Sequence, residues 1–213
     1  MEAWIRLTNI SKKFRDEQVL SSCSAEFESG TIYGIIGRNG SGKSVLLKII
    51  CGLYKPDSGE AEVLGDMVSN SDLFARETGA LIEAPGFLFS YSGFQNLKFL
   101  AQIQKKISSE DIKKVMELVG LDWKSKKPVG KYSMGMKQRL GIAQAIMENP
   151  RILLLDEPTN SLDAAGTEEI RQLLRRLRDE GKLIIVTSHI KEDIDYLCDK
   201  VYCLQEGRLL AQI

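Results

Sequence analysis

Histidine is almost missing from this sequence: there is one in 213 residues, beside four cysteines with no C-x-x-C spacing. That scarcity excludes a zinc centre of the usual kind, which needs clustered Cys and His ligands. Cys23, Cys51, Cys198 and Cys203 lie in apolar surroundings and read as reduced core residues of a cytosolic protein. Surplus charge is missing too. Lys plus Arg and Asp plus Glu both number 29, and no long run carries one sign, so nucleic acid is not an expected partner. No apolar run approaches the roughly 20 residues that span a bilayer. The first residues, MEAWIRLTNISKKF, lack the charged-then-apolar layout of a secretory signal. The expectation is a soluble chain that reaches a membrane only through a partner.

What is present is alternation. Short apolar runs exchange with longer helical patterns, the rhythm of an α/β fold around a mixed, mostly parallel sheet. Strands are expected at 4–8, 19–27, 31–36, 60–64, 79–83, 152–156, 183–188, 201–205 and 208–213. The early ones, joined by turns such as Glu28-Ser29-Gly30 and Pro56-Asp57-Ser58-Gly59, are close enough to pair antiparallel, which predicts an N-terminal antiparallel β subdomain.

From about 86 to 149 helical patterns take over. Ile112, Val115, Met116 and Val119 recur at i, i+3, i+4 and i+7, behind a capping-box-like Ser108-Ser109-Glu110-Asp111. This block reads as an α-helical subdomain inserted in a single domain, 1–213. A further helix buries Ile170, Leu173, Leu174 and Leu177, turns Arg171, Arg175, Arg176 and Arg178 mostly outward, and ends at Gly181.

Gly37-Arg38-Asn39-Gly40-Ser41-Gly42-Lys43-Ser44 fits the phosphate-loop pattern G-x-x-x-x-G-K-[ST], between an expected strand and an expected helix at 44–51. The physical need is specific. Glycines let the backbone turn tightly and aim N–H groups at phosphate oxygens, and the helix N-terminus adds partial positive charge. Lys43 is expected to reach the β- and γ-phosphates of a nucleoside triphosphate, and Ser44 to hold Mg²⁺. A Gly-rich turn that merely ends a strand is the plainer alternative.

Arg151-Ile-Leu-Leu-Leu-Asp156-Glu157-Pro158 is an apolar strand ending in two carboxylates, at the strand end where open α/β sheets bind ligands. Asp156 fits the second Mg²⁺-holding group, and Glu157 fits the general base or water-orienting group for in-line attack on the γ-phosphate. Alone, such a triplet is more simply a polar strand terminus; beside a phosphate loop the functional reading is the stronger. His189 follows the apolar run Leu-Ile-Ile-Val-Thr-Ser, another strand end on the same sheet edge. A lone histidine is more often structural, but this position suits contact with the γ-phosphate.

With the phosphate loop, Asp156-Glu157, Ser161-Leu162-Asp163 and His189 in this order, the sequence resembles the nucleotide-binding subunit of ABC transporters over almost its whole length. The resemblance implies a P-loop NTPase fold and ATP hydrolysis with Mg²⁺ in a head-to-tail dimer. There ATP lies between one subunit's phosphate loop and the other's signature, usually LSGGQ. Here Tyr132-Ser133-Met134-Gly135-Met136 stands in that place, keeping Ser133 and Gly135 for the γ-phosphate and replacing the first glycine and the glutamine. It further implies that Asp163 lies at the dimer contact and that an aromatic residue stacks on adenine. Phe14 matches by position, with core packing as its alternative.

Glu83 stands where the family usually has a glutamine that touches Mg²⁺ and senses the transport partner. It keeps a hard oxygen ligand but adds negative charge beside the phosphates, which is expected to slow hydrolysis. Glu83 together with YS-x-GMKQR is similar to the branch serving bacitracin-type and lantibiotic-immunity exporters.

Two partners are implied: a second ATPase subunit, identical or related, and a separate transmembrane permease that holds the chain at the cytoplasmic face of the membrane. Phe87-Leu88-Phe89-Ser90-Tyr91 is either its docking surface or a buried turn. The competing function is a soluble ABC-type ATPase of DNA repair or translation, although such proteins usually carry a long coiled-coil insertion or a second ATPase domain. A regulatory GTPase would need a guanine-reading N-K-x-D motif, which is not found.

Overall fold

A computed structural model describes residues 3–69, 75–189 and 191–212. The chain runs β1 (Ala3–Phe14), β2 (Glu17–Glu28), β3 (Ile32–Ile36), α1 (Lys43–Ile50), β4 (Ser58–Val63), β5 (Asp66–Met67) and β6 (Thr78–Leu81). It continues with α2 (Gly93–Gln104), α3 (Ser109–Leu118), a 3₁₀ turn at Val129–Lys131, α4 (Met134–Ile146), β7 (Ile152–Asp156) and α5 (Ala164–Asp179). It closes with β8 (Leu183–Thr187), α6 (Lys191–Leu197), β9 (Lys200–Gln205) and β10 (Arg208–Gln212). The expected last strand extended to Ile213, which lies outside the described residues.

Two sheets form. An antiparallel one has the order β2-β1-β4-β5, and a second has the order β10-β9-β3-β8-β7-β6, parallel throughout except for β9–β10. The strands β3, β7 and β8 are apolar at almost every position because both of their faces are covered. Period-two alternation decides which face each side chain meets. Leu153, Leu155, Ile184 and Val186 join the core shared with α2 to α5, whereas Ile152, Leu154, Leu183 and Ile185 join the core shared with α1 and the antiparallel sheet. Parallel strands of matched register then end together, which brings the loops after β3, β7 and β8 to one edge.

The helical block between β6 and β7 holds α2, α3 and α4. Ser108 caps α3 by accepting from Asp111 N–H, and its own N–H donates back to the Asp111 side chain, as expected of a capping box; Ser92 and Gln95 do the same for α2. Two expectations need correction. The first strand is twelve residues long rather than ending at Thr8, because register shifts and the left-handed Asn9 (φ 52°) interrupt the alternation that marks a strand. Arg171 is not an outward solvated residue: its side chain is mostly covered and binds Asp193.

Candidate active site

The phosphate loop leaves β3 and enters α1 at a left-handed Gly42, with φ 102°, and Gly40 has φ 79°. Only glycine adopts these angles without strain, and a Cβ on Gly42 would lie 2.9 Å from the Val19 side chain. The loop curls around Lys43, which is 7 % exposed and donates from Nζ to the carbonyls of Gly37 (2.9 Å) and Arg38 (3.3 Å). Ser41 Oγ is buried and has no hydrogen-bond partner among the described residues. A buried hydroxyl without a partner is costly, and a phosphate oxygen would satisfy it. A Cβ on Gly37 would stand 2.7 Å from that hydroxyl. A cavity of about 510 Å³ opens here, lined by Asn39, Gly40, Gly42, Lys43, Ser44, Asp156 and Glu157, with Glu17 and Val19 of β2 closing one side.

The Asp156 carboxylate meets Ser44 at the start of α1. Ser44 Oγ donates to Asp156 Oδ2 at 2.6 Å, and Thr187 Oγ1 donates to Asp156 Oδ1 at 2.5 Å. A hydroxyl and a carboxylate side by side are the few hard oxygens that suit Mg²⁺, which keeps most of its waters. Glu157 adopts a left-handed φ of 50°, unusual for a residue with a side chain. Its N–H is held by the carbonyl of Thr187 (3.2 Å) and by Thr187 Oγ1 (3.0 Å), and its carbonyl accepts from Gln138 Nε2 at 2.9 Å. Its Oε2 lies 2.8 Å from His189 Nδ1. The two strand-end residues therefore form a pair.

The remaining expected residues are not among those that line the cavity. Phe14 ends β1 opposite Glu17, is 40 % exposed, and meets Tyr54 edge-to-face at 5.7 Å, so it is not a core residue. Ser133 caps α4 by accepting from Met136 N–H at 3.2 Å, which leaves its O–H available as a donor. Gly135 sits against the loop after β7, where a Cβ would lie 2.8 Å from the Ser161 carbonyl oxygen. Asp163 caps α5 by accepting from Gly166 N–H at 2.9 Å. Neither Ser133 nor Gly135 lines the cavity. Glu83 does not line it either: it follows β6 with φ 60° and accepts from Lys48 Nζ at 2.6 Å. That contact raises the Lys48 pKa.

A family model described as ABC transporter matches residues 20–160, which include the phosphate loop, the signature and Asp156-Glu157. The chain belongs to the ABC transporter family. It is 44 % identical to an uncharacterized ABC transporter ATP-binding protein of Bacillus subtilis, YybJ, over 96 % of this chain and 94 % of that one. The bacitracin transport ATP-binding protein BcrA of Bacillus licheniformis is 39 % identical over 100 % of this chain and 70 % of its own length. The cassette also superimposes on a dimeric post-hydrolysis structure of the ATP-binding cassette MJ0796 bound to ADP and Pi. The TM-score is 0.87 at 25 % identity, covering 96 % of each chain. This is an ABC ATPase of the expected α/β architecture, and its relatives are ATP-binding proteins of transporters, which does not favour the repair or translation alternative.

Two residues of this ABC ATPase were not singled out from sequence. Thr187 serves the Asp156 carboxylate and the Glu157 N–H because Asp156 and Thr187 are register partners at the ends of β7 and β8. Equal apolar runs ending in Asp and Thr carry that signal. Gln138 reaches the Glu157 carbonyl from the helix that Ser133 opens, a contact between distant segments that no local pattern reveals.

Proposed function

We propose that residues 1–213 form one ATPase domain, with its helical subdomain at about 86–149, and that two such subunits pack head to tail around Mg²⁺-ATP. In this reading the dimer powers a separate transmembrane permease from the cytoplasmic face of the membrane. The cargo is a peptide antibiotic or another hydrophobic compound, since BcrA and the lantibiotic transport ATP-binding protein SrtF of Streptococcus pyogenes, 34 % identical, are relatives. One observation carries the dimer: a donor-competent Ser133 lies outside the cavity formed by its own phosphate loop. A second subunit would bring its signature to this γ-phosphate, with Gly135 allowing close approach and Asp163 at the contact.

Within that dimer Phe14 stacks on adenine. Asn39 and the loop N–H groups hold the phosphates, and Lys43 neutralises them. Ser44 and Asp156 hold Mg²⁺, which supplies charge neutralisation at the phosphoryl oxygens. Glu157 orients the attacking water and takes its proton. His189 presents Nδ1 to Glu157, so Nε2 is the atom that meets the γ-phosphate. Leu88, Phe89 (61 % exposed) and Tyr91 form an apolar ledge suited to the permease. Buried Asn96 fixes the ledge, accepting from Leu88 N–H and donating to the carbonyls of Leu88 and Ser92. Among the described residues no helix is long and apolar enough to cross a membrane.

Purification from the native membrane tests the reading: an integral membrane protein is expected to accompany the chain in stoichiometric amount. Recovery without one would overturn the transport assignment. Glu83→Gln is expected to retain Mg²⁺-ATP binding and to hydrolyse ATP as fast as the parent or faster. Glu83 is exposed, so loss of its Lys48 ion pair changes stability by under about 1 kcal/mol. Complete loss of nucleotide binding on isothermal titration would assign Glu83 a structural role instead.

A further inference from the structure

Behind the Glu157–His189 pair lies a carboxylate that the reaction itself does not use. Asp193, on α6, is 2 % exposed. Its Oδ2 accepts from Thr159 Oγ1 and, at 3.5 Å, from Ser188 Oγ. Its Oδ1 accepts from Arg171 Nε at 2.9 Å and also from Nη2. Thr159 stands two residues after Glu157, and Ser188 immediately precedes His189. One buried side chain thus joins the two loops that carry the pair, and a forked arginine from α5 neutralises it.

We propose that Asp193 is a positioning residue that sets the distance between Glu157 and His189 by tying their loops together. The inference rests on the reading of Glu157 and His189 as the hydrolytic pair. A carboxylate taken out of water is expensive unless it is paired and hydrogen-bonded, and here every oxygen has a donor. Arg171 donates two charge-assisted bonds to Oδ1 while the hydroxyls hold Oδ2, which fixes its orientation. Arg171 also stacks on Tyr196 of α6, with its guanidinium carbon 5.1 Å from the ring centre, so α5 and α6 are held together at this point. Asp163 caps the start of α5, so the segment from Glu157 to Asp163 is fastened at both ends. Such a frame resists the displacements of about 1 Å that cost a reaction roughly 10²-fold when they occur at the reacting groups.

A merely structural ion pair would lower stability and ATP affinity together. A positioning role lowers kcat and spares affinity, because Lys43 and Ser44 bond Gly37, Arg38 and Asp156, none of which is a hydrogen-bond partner of Asp193. Thr159→Val keeps the shape and removes the hydroxyl donor. Its kcat is expected to fall about 10-fold, with KM and the Kd for ATP within about twofold, and Thr159→Ser to restore the parent rate. Asp193→Asn is expected to lose more of kcat, about 10²-fold, since Arg171 is left without its countercharge. If Asp193→Asn does not fold, the Thr159 pair of variants decides.

Unchanged kcat in Thr159→Val, failure of serine to restore it, or an equal loss of ATP affinity would each overturn the proposal. Glu157→Gln, assayed alongside, separates the two readings. If it hydrolyses ATP at the parent rate, the catalytic pair itself is misassigned; if it is inactive while Thr159→Val is normal, only the anchoring role falls.

Discussion

Glu157→Gln is expected to bind ATP with nearly the parent affinity, to lose about 10²-fold or more of its turnover, and to accumulate as an ATP-bound dimer. The substitution keeps the volume and one oxygen of the side chain but removes the charge that takes a proton from water. The backbone conformation should survive. Glu157 holds its left-handed φ of 50° through main-chain contacts, two from its N–H to Thr187 and one to its carbonyl from Gln138. Strain of about 1–3 kcal/mol persists at a functional residue only when neighbours over-determine it, as they do here. Nucleotide contacts come from a different element, the loop around Lys43. Binding and chemistry therefore separate in this variant: equilibrium titration with ATP reports the first, steady-state phosphate release the second, and gel filtration with ATP the trapped dimer. Unchanged hydrolysis, or a monomer at saturating ATP, would count against the assignment.

Much of this centre was legible in the sequence because its parts lie in short local patterns. The phosphate loop announces itself by glycine spacing, and Asp156 and Glu157 by their place at the end of an apolar strand. What a local pattern omits is the partner across the sheet. Thr187 is one of several threonines until the register sets it opposite Asp156. Gln138 and Asp193 act over separations of 19 and 34 residues, on Glu157 and Thr159, and only the packing of α4 and α6 brings them in. Glu83 shows the same limit. Its family position suggests Mg²⁺, and no local pattern shows that the chain leaves β6 with a left-handed turn or that the carboxylate accepts from Lys48 on α1. The long first strand was lost for a related reason, since each register shift resets the alternation on which strand recognition depends.

The helix that presents Ser133 depends on one glycine outside the phosphate-loop cavity. Gly79 lies in β6 directly under α4, where a Cβ would stand 1.9 Å from the Ala145 carbonyl oxygen and 2.9 Å from both the carbonyl carbon of Ala145 and Cγ of Pro150. The obstacle is mostly main chain, so no side-chain rotation relieves it. Gly79→Ala must lift α4 off the sheet edge or bend β6. Overpacking of this kind costs about 1–3 kcal/mol and occasionally more, and a clash with backbone puts Gly79→Ala at about 3 kcal/mol or above. Gly86→Ala is the matched control: apart from Gly86 and its two chain neighbours, nothing among the described residues lies within 4 Å of its Cβ position, and a surface change without a clash stays within about 0.5 kcal/mol. Urea unfolding monitored by circular dichroism compares the two. The displacement also reaches function, because α4 carries Ser133 at its N-terminus and Gln138 on the Glu157 carbonyl. Any Gly79→Ala protein that folds should therefore turn over ATP more slowly than Gly86→Ala. A midpoint for Gly79→Ala equal to that of Gly86→Ala would mean that α4 is not seated on β6 at this distance.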